Sequence, residues 1–257
     1  MKAIGQHLDE MGRNAEAWNR KPILRRVYAG FYQRIVALLQ TDLPGRVVEI
    51  GSGIGNIKSA LPQAICTDLF TNEWLDLVCD GYELPFSDAT LSHLVLFDVF
   101  HHLETPMAFL REAHRVLVPG GRLIIFEPFL SITGRLVYGL FHHEPLGLGE
   151  PINSSPFPPG ERRYYAAQGN ATRFFFGSSW SGCPAGWECF HREAFSSFNY
   201  LLSGGYAKPA FYPEAMFGFW QRLDKWLSRC PRVFGARCLL GLRRLQEPRS
   251  HSRDPGS

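Results

Sequence analysis

The sequence predicts an α/β fold in which a mostly parallel sheet carries helices on both faces. Short apolar runs that suit buried strands alternate with stretches of helical periodicity from Arg46 to Phe126, and this alternation is typical of parallel sheets. The apolar run at 47–50 leads directly into a glycine-rich turn, as a strand does when it gives way sharply to a helix. With 257 residues, 45% apolar and 14% aromatic, the chain can bury one large core, so we expect one domain with an elaboration.

Residues 21–40 come first and predict a helix packed on the edge of the sheet. Pro22 suits the first turn of this helix, where a missing N–H costs nothing. Apolar side chains recur at helical spacing, and arginines between them suit the solvent-facing side. The apolar positions are Ile23, Leu24, Val27, Tyr28, Phe31, Ile35, Leu38 and Leu39.

Glycines at positions 51, 53 and 55 follow the first predicted strand, and Glu49 stands two residues before them. Glycine has no Cβ, so such a turn can adopt unusual dihedrals and let a ligand lie against the backbone. A dinucleotide-binding turn is one alternative, but Asn56 occupies the position of its third glycine. Glu49 would also repel a pyrophosphate, whereas it suits a cationic ligand. The turn therefore favours a ligand that carries positive charge.

Two aspartates stand where they could accept hydrogen bonds from a ligand at the carboxyl edge of the sheet. Asp68 ends the predicted second strand, and Asp80 opens the segment that leads to Asp88. Phe97 ends the predicted fourth strand, beside the crevice where open α/β sheets bind ligands. Because Asp also caps turns and helices very often, each aspartate taken alone favours a capping role.

Taken together and in order, these segments resemble the class I S-adenosylmethionine (SAM) dependent methyltransferases, with a type 11 methyltransferase domain. The resemblance runs in register over residues 45–128, about a third of the chain. It implies a Rossmann-like, seven-stranded-type sheet. The matching segments are Glu49-Ile-Gly-Ser-Gly-Ile-Gly, Ala64-Ile-Cys-Thr-Asp68, Cys79-Asp80-Gly-Tyr-Glu-Leu-Pro-Phe-Ser-Asp88, Leu94-Val-Leu-Phe-Asp98-Val-Phe-His-His-Leu103 and Arg111-Glu-Ala-His-Arg-Val-Leu-Val-Pro-Gly-Gly-Arg-Leu-Ile-Ile-Phe126.

The resemblance implies SAM as the cofactor and gives each cofactor-binding residue a place. Asp68 would accept from both ribose hydroxyls, and a charged acceptor makes such bonds short and strong. Asp80 would accept from the adenine amino group while an adjacent backbone N–H donates. The cofactor-binding residues implied in this way are Glu49, Gly51, Gly53, Gly55, Asp68, Leu69, Asp80, Gly81 and Phe97.

His101 and His102 directly follow the predicted fourth strand and are the catalytic candidates. Either imidazole could accept a proton from a hydroxyl near neutral pH. The alternative is that one of them orients the cofactor's amino-acid end or caps the next helix. The resemblance favours this alternative, because many family members share His-His-Leu here but methylate different acceptors. A second cluster at 142–144 holds two histidines and a glutamate, but consecutive histidines diverge on regular structure, so we expect no metal.

After Pro128 the resemblance ends, and residues 129–190 predict a lid inserted after the fifth strand. Between 141 and 190, six prolines and seven glycines argue against a regular helix, and ten aromatic residues argue against a disordered linker. Long loops in compact domains are usually functional, so we expect this one to form the acceptor pocket. The alternative is that its aromatic residues only seat the loop on the sheet. They are Phe141, Phe157, Tyr164, Tyr165, Phe174, Phe175, Phe176, Trp180, Trp187 and Phe190.

The C-terminal region predicts a helix at 191–205, a late strand at 206–212 and then a basic amphipathic helix. Residues 222–253 carry nine Arg or Lys and two acids, a local net charge of +7 against +3 for the whole chain. The helix either closes the fold with a solvated basic rim, which the pattern favours, or contacts an anionic membrane or phosphates. Its predicted apolar face comprises Met216, Trp220, Leu223, Trp226 and Leu227.

The rest of the sequence favours a cytoplasmic protein. No apolar run reaches 18 residues, and the first ten residues lack the apolar core of a secretory signal. The six cysteines form no Cys-x-x-Cys pair and no zinc spacing, which suits a reducing compartment. There is no Asn/Asp-Pro-Pro-Tyr sequence and no RNA-binding signature, which argues against a nucleic-acid acceptor. The sequence does not indicate an oligomeric state.

The functional prediction is a SAM-dependent methyltransferase that acts on a small or lipid-linked metabolite, with oxygen as the methylated atom. One alternative is an enzyme that modifies RNA or protein, guided by the basic C-terminal region. A second is a SAM-binding protein without turnover. The expected parts are an N-terminal helical cap (1–44), a SAM-binding core (45–128), the lid (129–190), a C-terminal completion of the fold (191–247) and a disordered tail (248–257).

Overall fold

The computed structural model describes residues 2–141, 145–149, 152, 165–177 and 182–246. Seven strands and eight helices are found there, together with three short 3₁₀ turns at 56–59, 100–102 and 214–216. The strands are β1 (Arg46–Ile50), β2 (Ile65–Asp68), β3 (Leu77–Val78), β4 (Leu91–Phe97), β5 (Leu117–Pro128), β6 (Trp187–Phe195) and β7 (Arg237–Arg244). The helices are α1 (Lys2–Arg20), α2 (Pro22–Val36), α3 (Pro106–Val116), α4 (Ile132–Phe141), α5 (Asn170–Phe176), α6 (Phe198–Leu202), α7 (Phe217–Leu227) and α8 (Pro231–Phe234).

The seven strands form one sheet in the order β3-β2-β1-β4-β5-β7-β6. Strands β1 to β5 pair in parallel, whereas β7 lies antiparallel to both β5 and β6. This arrangement confirms the predicted α/β class and the mostly parallel, seven-stranded sheet.

The order of the strands places a ligand crevice at the carboxyl ends of β1 and β4. From β1 the chain builds β2 and β3 on one side, and then returns to build β4 and β5 on the other. Ile50 at the end of β1 therefore pairs with Thr67 of β2 and with Leu96 of β4. In open α/β sheets, ligands bind in the crevice at such a reversal of strand order.

Helices cover both faces of the sheet, as predicted. Leu24 and Phe31 of α2 pack with Phe126 of β5 in one buried cluster. Phe109 and Leu110 of α3 belong to the buried cluster on the opposite face. Helix α2 begins at Pro22, as the sequence predicts for the first turn.

The helix expected directly after the glycine turn is absent, and in its place the chain forms a 3₁₀ turn at Asn56–Ser59. Gly55, which precedes this turn, adopts a left-handed conformation, and Pro62 follows shortly after it. Proline lacks an N–H and clashes with the preceding turn of a helix, so a full helix has no room to develop.

Two predictions for the C-terminal region are wrong. Residues 191–195 lie in β6 rather than in a helix, because they pair along β7 as far as Phe195 opposite Arg237. The helix is confined to α6, which is followed, as predicted, by Gly204 and Gly205 in left-handed conformation. The expected strand at 206–212 is a turn, in which the Lys208 N–H donates to the Gly204 carbonyl at 2.9 Å. Since β6 begins at Trp187, the last residues of the predicted lid also belong to the sheet.

The predicted amphipathic helix exists as α7, but its buried face differs from the prediction. The buried residues of α7 are Phe217 and Asp224. Met216, Phe219 and Trp226 remain exposed to solvent, although periodicity had placed Met216 and Trp226 on the apolar face. In the described part of the chain, no helix combines the length and the hydropathy needed to cross a membrane.

Candidate functional site

The glycine turn after β1 adopts the conformation that its sequence predicts. Gly51, Gly53 and Gly55 have φ angles of 68°, 53° and 70°, a region that L side chains rarely occupy. A Cβ on Gly51 would lie 2.3 Å from the Cγ2 atom of Val99, so the turn and the end of β4 pack too closely for any other residue. Met11 of α1 lies above the turn, with its sulfur 3.5 Å from where a Cβ on Gly53 would stand. Helix α1 therefore covers the turn.

Glu49 lies at the floor of this crevice and is almost fully buried. The hydroxyl of Tyr32 donates to Glu49 Oε1 at 3.2 Å, whereas Glu49 Oε2 has no hydrogen-bond partner within the described residues. Burial raises the pKa of Glu49 to about 8, because no cation offsets the loss of water around its charge. A buried carboxylate oxygen without a donor, next to an open glycine turn, is suited to a ligand that brings a positively charged donor.

Asp68 joins the end of β2 to the glycine turn. Its Oδ2 atom accepts from the Gly53 N–H at 3.1 Å, and its Oδ1 atom accepts from the Leu69 N–H at 2.7 Å. This is the capping role that an isolated aspartate favours, but each carboxylate oxygen can accept a second bond. Leu69 exposes half of its surface directly beside this carboxylate.

Asp80 and Phe97 occupy different surroundings. The Asp80 carboxylate accepts from the Tyr82 N–H at 2.9 Å and so shapes the turn that contains Gly81. Phe97 is buried, and its ring stacks on Tyr28 at a centroid distance of 5.3 Å and on Phe126 at 4.7 Å. Phe97 therefore belongs to the aromatic core under the crevice.

His101 forms a buried pair with Glu127, a residue that sequence reasoning missed. The two side chains meet at 2.7 Å between His101 Nδ1 and Glu127 Oε2. The other oxygen of Glu127 accepts from the backbone N–H groups of Val99 and Phe100, at 2.6 and 2.5 Å. Glu127 ends an apolar strand and is fully buried, and glutamate is almost never buried in this way unless it is paired. Its position at the end of such a strand was a signal available in the sequence.

His102 contacts the inserted segment instead. Its Nδ1 atom lies 3.0 Å from the Tyr165 carbonyl oxygen, and the Ala167 N–H donates to the His101 carbonyl at 3.0 Å. Asn170 adds a bond from its side-chain amide to the Leu103 carbonyl at 3.2 Å. The described part of the insertion is thus attached to the turn that carries both histidines.

The aromatic residues of α5 serve as anchors for the insertion. The ring of Phe175 is fully buried and packs on Phe100 at 5.0 Å, and the ring of Phe176 meets Phe129 at 5.1 Å. Phe175 and Phe176 therefore attach the insertion to the sheet, which was the alternative to their lining an acceptor pocket. Phe157, Tyr164, Trp180 and the cluster His142, His143 and Glu144 lie outside the described residues.

Asp98 forms an ion pair with the buried Arg237, and the sequence did not predict this pair. Asp98 follows β4 with a φ angle of 57°, which is uncommon for a residue other than glycine. Its carboxylate accepts from Nη1 of Arg237, whose side chain is 2% exposed. The guanidinium lies 4.5 Å from the centre of the Tyr200 ring. A strained residue held by a buried cation at the end of a sheet strand is typical of functional sites.

Three tyrosines form an aromatic cluster next to Phe97, with Tyr28 in contact with the other two and with Phe97. The ring of Tyr28 lies 5.5 Å from Tyr206 and 6.2 Å from Tyr200, and Asn56 donates to the Tyr206 hydroxyl. Burial raises the pKa of all three phenols, so they remain neutral donors at physiological pH.

A cavity of about 290 Å³ adjoins the outer side of the glycine turn. Trp18 and Asn19 of α1, Asn56 and Trp74 are among its lining residues. Of the predicted cofactor-binding residues, only Gly55 lines it. We therefore place the candidate ligand site at the carboxyl ends of β1 and β4, beside Glu49, the glycine turn and Asp68, rather than in this cavity.

Comparison with known sequences identifies the central segment. Residues 48–125 match the family described as a methyltransferase domain. The human probable tRNA methyltransferase 9B is 31% identical over 109 residues, which cover 37% of this chain and 24% of that protein. Its mouse counterpart is 29% identical over 122 residues, which cover 42% of this chain and 27% of that protein. The chain spans about a quarter of the length of these curated relatives.

Comparison with solved structures extends the likeness of the fold over nearly the whole chain. A putative methyltransferase from Haloferax volcanii, solved in complex with the Trm112 methyltransferase activator, has a TM-score of 0.52 at 16% identity and covers 95% of this chain and 97% of that one. A SAM-dependent methyltransferase from Thermotoga maritima, described as a possible histamine N-methyltransferase, has a TM-score of 0.50 at 18% identity and covers 90% of this chain and 97% of that one. At these identities the likeness shows the fold.

Proposed function

Since residues 48–125 form a methyltransferase domain of the class I SAM-dependent type, we propose that the chain transfers a methyl group from SAM to a hydroxyl oxygen of a small or lipid-linked metabolite. We propose oxygen as the methylated atom because His101 and Glu127 form a buried pair at the carboxyl end of the sheet. A hydroxyl must lose its proton when it is methylated, and this pair can accept it.

The carboxylates on the cofactor side fit SAM. When bound, SAM supplies a methyl group that its sulfonium already activates for displacement. The unpartnered oxygen of Glu49 accepts from the cofactor's amino group, which removes the cost of burying that charge alone. Asp68 accepts from the ribose hydroxyls with the lone pairs that Gly53 and Leu69 leave open. Asp80 accepts from the adenine amino group, and the Gly81 N–H donates to the ring.

His101 is the proposed base, and Glu127 prepares it. Because Glu127 accepts from the Nδ1–H of His101, the imidazole is held in the tautomer whose Nε2 atom carries the basic lone pair. Glu127 also stabilises the imidazolium that forms when His101 takes the hydroxyl proton. His102 has a different task in this proposal, since its contact with Tyr165 holds the inserted segment in place.

The aromatic wall of Tyr28, Tyr200 and Tyr206 supports a small or lipid-linked acceptor. These phenols are neutral and their rings pack edge to face, so they offer an apolar surface with hydroxyl donors. Near attack distance and fixed orientation supply much of the rate in such a displacement, on the order of 7–11 kcal/mol in favourable cases.

The basic C-terminal region offers little support for guidance of a macromolecule. Arg237 is buried against Asp98, Arg243 pairs with Glu188, and Arg244 donates to the Leu117 carbonyl. Three of the cations that raise the local charge are therefore bound within the fold. Within residues 222–246, those left on the surface are Arg222, Lys225, Arg229 and Arg232.

RNA methylation is the second candidate, because the curated relatives are named as probable tRNA methyltransferases. That similarity covers less than half of this chain, and the acceptor wall includes Tyr200 and Tyr206 near the C-terminus. The structural neighbour from Haloferax volcanii was solved with the Trm112 activator protein. Under this alternative, binding of this chain to such an activator is a further test.

The experiment is methyl transfer from SAM that carries a labelled methyl group, with the pure chain and an extract of its native source. The extract is then separated into organic-soluble, small polar, nucleic-acid and protein fractions. We expect label in the organic-soluble or small polar fraction, and much less of it with His101→Gln. Label confined to RNA or protein would overturn the proposed acceptor. Absence of label from every fraction, with SAM binding intact, would favour a binding protein without turnover.

A further inference from the structure

The loop before α7 and the outward side of α7 form an apolar and basic surface, which we call the α7 face. Four large apolar side chains are exposed on it, together with two exposed cations on α7 and one just after the helix. The apolar residues are Phe211 (69% exposed), Met216 (40%), Phe219 (53%) and Trp226 (59%), and the cations are Arg222, Lys225 and Arg229.

Helical geometry places the two aromatic residues of α7 on one outward stripe. Phe217 and Asp224, seven residues apart, point into the fold and fix the inward side of the helix. Phe219 and Trp226 are also seven residues apart, about two turns, so they share a stripe on the side away from the core. Large apolar side chains exposed along one outward stripe mark an interaction site.

The cations of the α7 face are not neutralised by the fold. Among the described residues, no acidic side chain forms an ion pair with Lys225 or Arg229, and Arg222 donates to the Gly218 carbonyl of its own helix. The two nearest acids in the sequence are engaged elsewhere. Glu214 pairs with Arg26 of α2 at 3.3 Å, and buried Asp224 accepts from the backbone N–H groups that begin α6. The α7 face is therefore positively charged as well as apolar.

We propose that the α7 face binds the surface of an anionic lipid bilayer. An exposed aromatic stripe flanked by Lys and Arg has the composition of helices that lie in the headgroup region, with apolar side chains towards the acyl boundary and cations on the phosphates. Phe211 and Met216 extend the apolar area beyond the helix, and their side chains have no hydrogen-bonding group that could read a nucleic-acid base. All the apolar side chains of the α7 face can therefore contact lipid, whereas nucleic-acid bases could stack only on its aromatic rings.

The α7 face is connected to the wall of the crevice. Asp224 of α7 holds the N-terminus of α6 through the N–H groups of Phe198 and Asn199, at 2.7 and 2.9 Å. Tyr200, whose ring packs edge to face against Tyr28, belongs to the same helix α6. A bilayer bound by the α7 face would lie next to the segment that closes the acceptor side. Membrane binding itself does not depend on methyl transfer and can be measured without SAM.

The test is sedimentation of the full chain with vesicles of phosphatidylcholine alone or of phosphatidylcholine mixed with phosphatidylglycerol. We expect binding to the anionic vesicles, weakened by added salt. Arg229→Gln should weaken it roughly five-fold, since one cation near an anionic surface contributes about that factor. Trp226→Ala should weaken it on the order of ten-fold, through loss of buried aromatic surface. Arg111→Gln, an exposed arginine of α3 on the opposite face of the sheet, is the matched control and should leave binding unchanged.

Three results would overturn the proposal. The first is the absence of sedimentation with anionic vesicles at low salt. The second is equal weakening by Arg111→Gln and Arg229→Gln, which would mean attraction by overall charge rather than by this face. The third is tight binding of an RNA oligonucleotide that Trp226→Ala abolishes while vesicles are not bound, which would assign the face to RNA. Because Trp226 and Arg229 are exposed, circular dichroism should show that the variants fold normally.

Discussion

The two sides of the crevice are constructed in different ways. On the proposed cofactor side, formed by Glu49, the glycine turn, Asp68 and Asp80, the two aspartates bond to backbone N–H groups close in sequence, whereas Glu49 accepts from the Tyr32 hydroxyl. Asp68, for example, reaches Gly53, 15 residues away. On the acceptor side, formed by Asp98, His101, Glu127, Arg237 and the three tyrosines, side chains bond to side chains from distant segments. Asp98 meets a partner 139 residues away, and Asn56 meets one 150 residues away.

The proposed cofactor side is therefore determined by residues close in sequence. The proposed acceptor side forms only when distant segments of the chain have packed together. A local motif can bind the same ligand in many chains, because its donors and acceptors are largely backbone groups. A side-chain network changes with each substitution in any of its segments. Substitutions on the acceptor side should therefore affect chemistry and stability, whereas substitutions on the cofactor side should affect affinity for SAM.

The largest effect is expected for His101→Gln. Glutamine can still donate to Glu127 but cannot serve as a base, so turnover at saturating SAM should fall by a factor of roughly 10² to 10⁴. The matched control is His102→Gln, which alters the contact with Tyr165 and should cost much less. Steady-state kinetics with the labelled acceptor fraction provide the measurement. A similar loss in both variants would remove the assignment of the base to His101.

Asp98→Ala should produce the next largest effect, on stability. Loss of the partner of a buried charge leaves that charge uncompensated, at about 3–5 kcal/mol in the free energy of unfolding. Arg237 is the charge left behind. The control is Asp88→Ala, which removes an exposed pair with Arg115 and should cost no more than about 1 kcal/mol. Urea unfolding of both variants tests this, and equal stabilities would mean that the Asp98 pair contributes little.

A smaller effect is expected for Asp68→Ala on the cofactor side. Charged hydrogen bonds contribute about 1.5–3 kcal/mol, so the dissociation constant for SAM should rise roughly ten- to hundred-fold. Calorimetric titration with SAM gives this value, and Asp88→Ala again serves as the control. An unchanged dissociation constant would show that Asp68 only caps the glycine turn.

The last prediction concerns the pH dependence of stability in the absence of SAM. Burial raises the pKa of Glu49 from 4.5 to about 8, so between these values the folded protein holds a proton that the unfolded chain releases. The Glu49 contribution to the free energy of unfolding should therefore fall as pH rises from 4.5 to 8 and level off above that. Across this range, the free energy of unfolding should therefore fall more steeply with pH in the wild type than in Glu49→Gln. Parallel curves would contradict the assigned shift.

The sequence was sufficient for the sheet and for the glycine turn after β1. Alternation of elements and the glycine turn predicted the parallel sheet from Arg46 to Phe126, and Asp68 and Asp80 each end or follow a strand as expected. These features depend on near neighbours in the chain, which is why a linear pattern can reveal them.

The sequence was insufficient where the local structure or the burial of a residue depends on contacts with distant segments. Residues 191–195 have no alternation that separates strand from helix, and their pairing with β7 settles the matter. Arg237 would be counted as surface charge in any linear reading, yet its burial depends on Asp98 and Tyr200 being brought to it. The inward side of α7 is fixed by Phe217 and by the bonds that Asp224 makes to α6, rather than by the apolar periodicity of the helix.

The most direct test of the difference between the two sides is to measure SAM affinity and turnover on Asp68→Ala and His101→Gln in parallel. Calorimetry gives the affinity, and labelled transfer at saturating SAM gives the turnover. We predict that Asp68→Ala loses affinity but keeps most of its turnover once saturated, and that His101→Gln keeps its affinity but loses turnover. Parallel loss of affinity and turnover in both variants would contradict a crevice with separate cofactor and acceptor sides.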